Sequence, residues 1–312
     1  MDRSLSAGRP GHVDNLSGRQ LPRPGVASGD TTLWPVDGPG RNLELCHHGP
    51  MVSRWWQLDA WAGVDLVRPL VGGHRNEVML ASRGNQQLVV RRSKRSFESL
   101  AWELSLLEHL LGHGIGVPRV VVADDGRRHV DGVVVSQFVE GREPSDSLDW
   151  RRVVDTLTAM HELTTGWPQR PGFASSRQLL NTDRGGDVRL DAMPAGAVDA
   201  IRAAWQPMQG PECVVHGDVG ASNIRVDGDR VTLLDWDEAR VDLSSFDFAS
   251  VPEEVEVPAA TSRQALRTAG VAWEAATCWT AEPDYAARRL AELYDRQASM
   301  ASANDKGSIS IS

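Results

Sequence analysis

The chain is 312 residues long, 41% hydrophobic and 24% charged, with a formal net charge of −9, which makes it globular, with core enough for one large domain or two lobes, and excludes fibrous and wholly disordered classes. No apolar run reaches the roughly 18 residues of a membrane helix and the N-terminus lacks the basic-then-apolar order of a secretion signal, so the cytoplasm is the expected location. Residues 141–300 hold 26 acids against 16 bases while residues 51–140 hold 10 against 11, which argues against a nucleic-acid binder and for an acidic site that takes a metal or a cationic ligand.

Residues 1–50 are dense in Gly, Pro, Ser and Asp without an apolar period of 2 or 3.6, and read as an irregular leader. Met51 is an alternative translation start. Cys46, Cys213 and Cys278 form no CxxC pair, and Cys46-His47-His48 has no second ligand cluster at metal-site spacing, so all three cysteines are expected as free thiols.

From there the pattern alternates. "LVRPLVGGHRNEVMLAS" reads as strand, glycine turn, strand, and "QQLVVRRS" as a third strand. "SFESLAWELSLLEHLLGHG" places Leu100, Trp102, Leu104, Leu107, Leu110 and Leu111 at helical spacing before a glycine stop. "VPRVVVADDGRRHVDGVVVSQFVEG" predicts two further strands around an Asp-Gly turn. Strands with one helix make a small lobe over 51–140. The chain then turns mainly helical over 141–298, interrupted near residues 214–235 by short strands and loops, and "SMASANDKGSISIS" at 299–312 is expected as a flexible tail.

The interruption carries the chemistry. In "VVHGDVGASNIRVDGDRVTLLDWDEARVD", Asp218 follows one apolar run, Asn223 lies five residues on, and Asp235 ends the next. An aspartate that accepts a hydroxyl proton, with an Asn and a second Asp supplying hard oxygen ligands to Mg²⁺, is the set that phosphoryl transfer from a nucleotide requires. Asp237 and Glu238 are candidates for metal or substrate contact, or for pairing with Arg240. Trp102, Trp273 and Trp279 sit at helical spacing and are expected in the core, as is His161.

"HGDVGASNI" followed by "LLDWDEA" resembles the HGDxxxxN and (I/V)D(W/F) signatures of the aminoglycoside phosphotransferase and choline kinase-like family, and the resemblance extends over most of 68–298. It implies an α+β, bilobal protein-kinase-like fold, with a small antiparallel-sheet lobe for the nucleotide and a larger helical lobe for catalysis and substrate. It implies Asp218 as catalytic base, with His216 shaping the catalytic loop, and Asn223 and Asp235 as Mg²⁺ ligands. Gly72 and Gly73 match its nucleotide loop, Glu103 the helix glutamate that pairs with a strand cation, and Asp247 a downstream aspartate that supports the fold; Gln137 and Val139 are expected with them among the cofactor-binding residues.

One position departs from the pattern. Lys94 and Lys306 are the lysines of the chain and neither lies in the third strand, so Arg91 takes the place facing the phosphates, with Arg92 on the opposite face. The implied activity is transfer of the γ-phosphate of ATP or GTP, with Mg²⁺, to a hydroxyl of a small molecule. The charge map favours a hydroxylated amine, aminoglycoside-like or amino alcohol. The competing reading is a catalytically silent kinase-like binding protein, for which a base and two metal ligands have no use.

Overall fold

The computed structural model describes residues 58–70 and 76–308, with side chains to Ala301. The leader, Cys46-His47-His48, Gly72 and Gly73 therefore lie outside the described residues. No helix among the described residues is long and apolar enough to cross a membrane.

Strands β1 (Asp65–Pro69), β2 (Glu77–Arg83), β3 (Gln86–Arg92) and β4 (Val133–Gln137) form an antiparallel sheet in sequential order. Its period-2 pattern separates two faces. Leu88, Val90, Val133 and Val135 pack with Trp61, whose indole N–H donates to the Val121 carbonyl at 2.8 Å. Arg91 and Val134 are cross-strand partners on the other face, towards helix α1 (Phe97–Gly112), which Ser96 caps by accepting from the Ser99 N–H. One strand expected from the sequence does not form. Residues 117–123 make only an isolated bridge, Val120 to Ser136: pairing cannot extend past Pro118, which has no N–H, and on the other side the Ala123 N–H turns to the Arg127 carbonyl. Asp131 and Gly132, both at positive φ, turn the chain back between Val130 and Val133, as a tight two-residue turn requires.

Helix α2 (Ser147–Leu163) opens the second lobe. It is followed by the one-turn α3 (Ser176–Leu179), the short hairpin β5 (Arg184–Gly185) and β6 (Val188–Arg189), and α4 (Ala195–Trp205). Strand β7 (Glu212–Val215) pairs with β10 (Arg240–Leu243), and between them lies the hairpin β8 (Ile224–Asp227) and β9 (Arg230–Leu233). Helices α5 (Arg263–Thr277) and α6 (Pro283–Ser308) close the lobe. Helix α6 continues to Ser308, past residue 299 where composition suggested a tail. Met300, Ala301, Ala303 and Lys306 are all helix-compatible, so low complexity there does not break the helix. One apolar core unites Leu104, Leu107 and Leu110 of α1 with Val153 and Leu157 of α2, Ile201 of α4, and Leu266 and Trp273 of α5. The inner face of α1 is thus buried against the helical lobe.

Candidate active site

The loop after β7 carries the first part of the site. His216 and Gly217 donate their backbone N–H groups to the Asp247 carboxylate at 2.8 and 2.9 Å, and His161 Nε2 meets the same carboxylate at 2.9 Å. Burial pushes the Asp247 pKa up, but the hydrogen bonds from His161 and the loop outweigh it and hold the carboxyl below its ordinary range. Gly217 sits at φ +85°, and a Cβ there would come within 2.7 Å of the Glu238 carbonyl oxygen and 2.8 Å of Arg240. Only glycine lets this loop approach the 238–240 segment so closely.

His216 is fully buried. Its Nε2 donates to the Leu234 carbonyl at 2.7 Å and its Nδ1 accepts from the Asp218 N–H at 3.3 Å. Its partners therefore require the tautomer with hydrogen on Nε2. Asn223, in a 3-10 turn at Ala221–Asn223, donates its side-chain amide to Asp218 Oδ2 at 2.8 Å and to the Asp218 carbonyl at 3.0 Å, which leaves its own Oδ1 as an oxygen ligand. Asp218 is exposed at the mouth of the loop.

Asp235 lies two residues beyond β9 and turns the chain at φ +53°, a left-handed conformation uncommon for a non-glycine residue and met at functional sites. Desolvation raises its carboxyl pKa, Asp237 and Asp218 raise it further, and Arg91 opposes them. Carboxylates crowded this way are the donor chemistry that a divalent cation suits.

Arg91 reaches Glu103 Oε1 with Nη2, and its Nη1 lies 3.8 Å from Asp237 Oδ1. Burial works against the Arg91 charge, but Glu103, Asp237 and Asp235 outweigh it and raise its pKa. Asp237 also accepts from Arg95 at 2.6 Å, and Arg95 forks onto both oxygens of Asp187 at 2.7 Å. Thus Asp237 pairs with Arg95 and Arg91, and not with Arg240. Arg240 instead bonds Asp242 at 3.0 Å and stacks 3.4 Å over the Trp273 ring.

Two cavities flank these groups. One, of about 230 Å³, is walled by Asp218, Asp235, Asp237, Glu238, Glu274 and Glu282, together with the aromatic rings of Trp273 and Tyr285. The other, of about 340 Å³, is lined by Gln137 and Val139 with Arg119 and Thr232, and shares no lining residue with the first.

The phosphotransferase enzyme family model matches residues 66–291. This chain belongs to the phosphotransferase enzyme family. Homoserine kinases from Bradyrhizobium diazoefficiens and Brucella ovis are each 26% identical to this phosphotransferase, over 190 and 193 residues, covering 56% of the chain and 58% of those proteins. The chain thus spans somewhat over half the length of the curated relatives it matches. Among solved structures, a microcompartment-associated aminopropanol kinase shares 20% identity at a TM-score of 0.53, covering 75% of this chain and 90% of that one. A thermostable mutant of aminoglycoside phosphotransferase APH(4)-Ia shares 14% at 0.56, covering 78% and 98%. A choline kinase from Cryptosporidium parvum shares 10% at 0.52, covering 78% and 92%. These structures establish the protein-kinase-like α+β fold expected from the sequence.

Across this phosphotransferase, His216, Asp218, Asn223 and Asp235 lie together, and Arg91 meets Glu103, while Gln137 and Val139 face the separate cavity. Trp102 and Trp273 are buried as expected, and His161 is buried and bonded to Asp247. Among the residues not singled out from the sequence are Arg95, Asp187, Arg170, Glu274, Glu282 and Tyr285. Arg170 sits in an irregular stretch, "PQRPGF", where no periodicity marks a buried position, and Glu282 stands in a turn between helices. Cys213 and Cys278 are buried free thiols.

Proposed function

We propose that this phosphotransferase moves the γ-phosphate of ATP or GTP to a hydroxyl of a small hydroxylated amine, with Asp218 as base. The observation that carries the reading is the acidic cavity beside Asp218. Carboxylates from the catalytic loop, the 235–238 turn, α5 and the α5–α6 turn converge on it and favour a cation, and Trp273 and Tyr285 add aromatic surface to its wall. An ammonium group seated there leaves a neighbouring hydroxyl within reach of Asp218. Homoserine and aminopropanol, the substrates in the names of two of the relatives above, each combine an amine with a hydroxyl.

In this reading Asp218 accepts the hydroxyl proton as the oxygen attacks phosphorus, and the Asn223 amide holds Oδ2 while Oδ1 takes the proton. His216 is a positioning residue, since its ring is committed to two backbone groups. Arg91 offers charge to the nucleotide phosphates, and the strand exit at Gln137 and Val139 offers the base its edge. Asn223 Oδ1 and Asp235 have the oxygen chemistry to hold Mg²⁺, which would offset phosphate charge when bound. The retention of base and ligands together favours the enzyme over a silent binding protein.

The test is nucleotide consumption against a panel of amino alcohols, aminoglycosides, neutral polyols and hydroxy acids, with ATP and GTP in parallel. Amines should be phosphorylated at the lowest KM. Efficient turnover of neutral or anionic hydroxyl compounds, while polyamines neither react nor compete, would overturn the acceptor class. Hydrolysis or transfer with none of the panel, in the presence of bound nucleotide, would favour the silent protein.

A further inference from the structure

Arg170 is one of the most buried charged side chains in the molecule, at 1% exposure, and all its nitrogens are engaged. Nε donates to Ser99 Oγ at 2.8 Å and Nη2 to Glu103 Oε2 at 2.8 Å, both on α1. Nη1 donates to the carbonyls of Trp236, Asp237 and Ala239 at 3.0, 3.0 and 3.1 Å, immediately after Asp235. The guanidinium carbon lies 4.7 Å from the Phe173 ring centroid and 5.5 Å from that of Trp102. Desolvation pulls its pKa down, yet no fully buried arginine is kept without partners that hold its charge.

The consequence falls on Arg91. A carboxylate offers two oxygens, and a guanidinium left alone with it forks onto both. Glu103 cannot be taken that way here, because Oε1 goes to Arg91 and Oε2 to Arg170. Arg91 therefore meets Glu103 through Nη2 alone, and its Nη1 lies 3.8 Å from Asp237, itself a wall residue of the cavity that contains Asp218 and Asp235.

We propose that Arg170 is a positioning residue whose occupation of Glu103 Oε2 keeps Arg91 single-pronged and open to phosphate, which allows an arginine to stand where a lysine would otherwise be needed. A lysine ammonium makes only a point contact with a carboxylate and needs no such restraint. The same guanidinium, bonded to three carbonyls behind Asp235, ties the register of the proposed metal loop to α1. This inference rests on the nucleotide-dependent kinase reading above.

The experiment is a double-mutant cycle on Arg170→Met and Arg91→Lys, with nucleotide affinity measured by calorimetry alongside KM, kcat and Tm. Arg170→Met alone should weaken nucleotide binding by about tenfold or more, the size of a lost charge-assisted contact, with a smaller change in kcat. In the Arg91→Lys background the same substitution should cost less than about threefold, because an ammonium cannot be forked by Glu103. Equal losses in the two backgrounds would mean that Arg170 acts through stability alone and would overturn the inference while leaving the kinase reading intact. A wild-type protein that binds neither MgATP nor MgGTP would overturn both. Should Arg170→Met not fold, Arg170→Lys and Arg170→Gln carry the comparison: lysine, still paired with Oε2, should hold affinity within about threefold, and glutamine should lose about tenfold. Equal affinities for those two variants would count against the proposal.

Discussion

His216 Nε2 donates to the Leu234 carbonyl at 2.7 Å, so that one imidazole joins the loop of the proposed base to the residue before the proposed metal ligand Asp235. Through Nδ1 the same ring holds the Asp218 N–H. His216→Ala should leave this carbonyl buried without its donor, lower Tm, and reduce kcat by about tenfold through misplacement of Asp218 and Asp235. His216→Gln, which can still donate to the carbonyl, should recover part of the loss. A kcat unchanged in His216→Ala would show that the loop is positioned by Asp247 alone.

Asp218→Asn keeps the shape of the loop and removes the proposed base. Turnover should fall by at least about a hundredfold, with nucleotide affinity and Tm close to wild type. Initial-rate kinetics check the first and calorimetry the second. Wild-type turnover would place the base elsewhere.

Asp235→Ala removes a charged oxygen from the crowded group with Asp237 and Asp218. Nucleotide binding should lose its dependence on Mg²⁺, as titration at fixed nucleotide and varied metal would reveal. Folding should suffer modestly, since the substitution relieves like-charge repulsion but puts an alanine at a left-handed φ of +53° that aspartate tolerates better. Unchanged Mg²⁺ dependence would show that the ion sits on other residues.

Of the acids around the acceptor cavity, Glu274 is already bonded to Tyr285 and Arg289, and Asp237 to Arg95. Glu282 contacts the Cys278 thiol at 4.0 Å, and among the described residues no arginine or lysine is paired with it. Its charge remains for the proposed amine acceptor. Glu282→Gln should raise the KM of an amine acceptor by about fivefold to tenfold without altering the nucleotide KM. In wild type that acceptor KM should also rise with salt, and the variant should show a weaker salt dependence.

The acid limb of stability is set in part by Asp149. It is 1% exposed, bonds Arg142 with both oxygens, and accepts from the Ser145 N–H at 2.9 Å. The Arg142 hydrogen bond, and then that of Ser145, lower its pKa from 3.8 to about 2. The folded pKa is depressed, so its contribution is present above the unfolded value and is lost as pH falls between about 4 and 2. The contribution is modest, since Arg142 is half exposed to screening solvent. Asp149→Asn should lower Tm at neutral pH and flatten the decline of Tm across that window. An identical acid limb in both proteins would assign it to other carboxylates.

The sequence by itself determined the elements around the site and the order of the groups in it. Asp218, Asn223 and Asp235 are brought together by short apolar runs ending in polar loops, and strand ends fix such local spacings with little help from the rest of the chain. Alternation likewise sufficed to put Arg91 and Arg92 on opposite faces of β3. It misjudged residues 117–123, where an apolar run suggested a strand that is cut to a single bridge between Pro118 and the turn at Ala123, and the end of α6, where composition alone was read. Only the tertiary structure decided how the site is braced and walled. Arg170 and Glu103 are 67 residues apart, Arg95 and Asp187 are 92 apart, and Glu282 reaches the cavity from a turn between the last two helices. Such pairings arise from the packing of one lobe against the other, which no local period encodes, and buried charges are located only once their partners are in place.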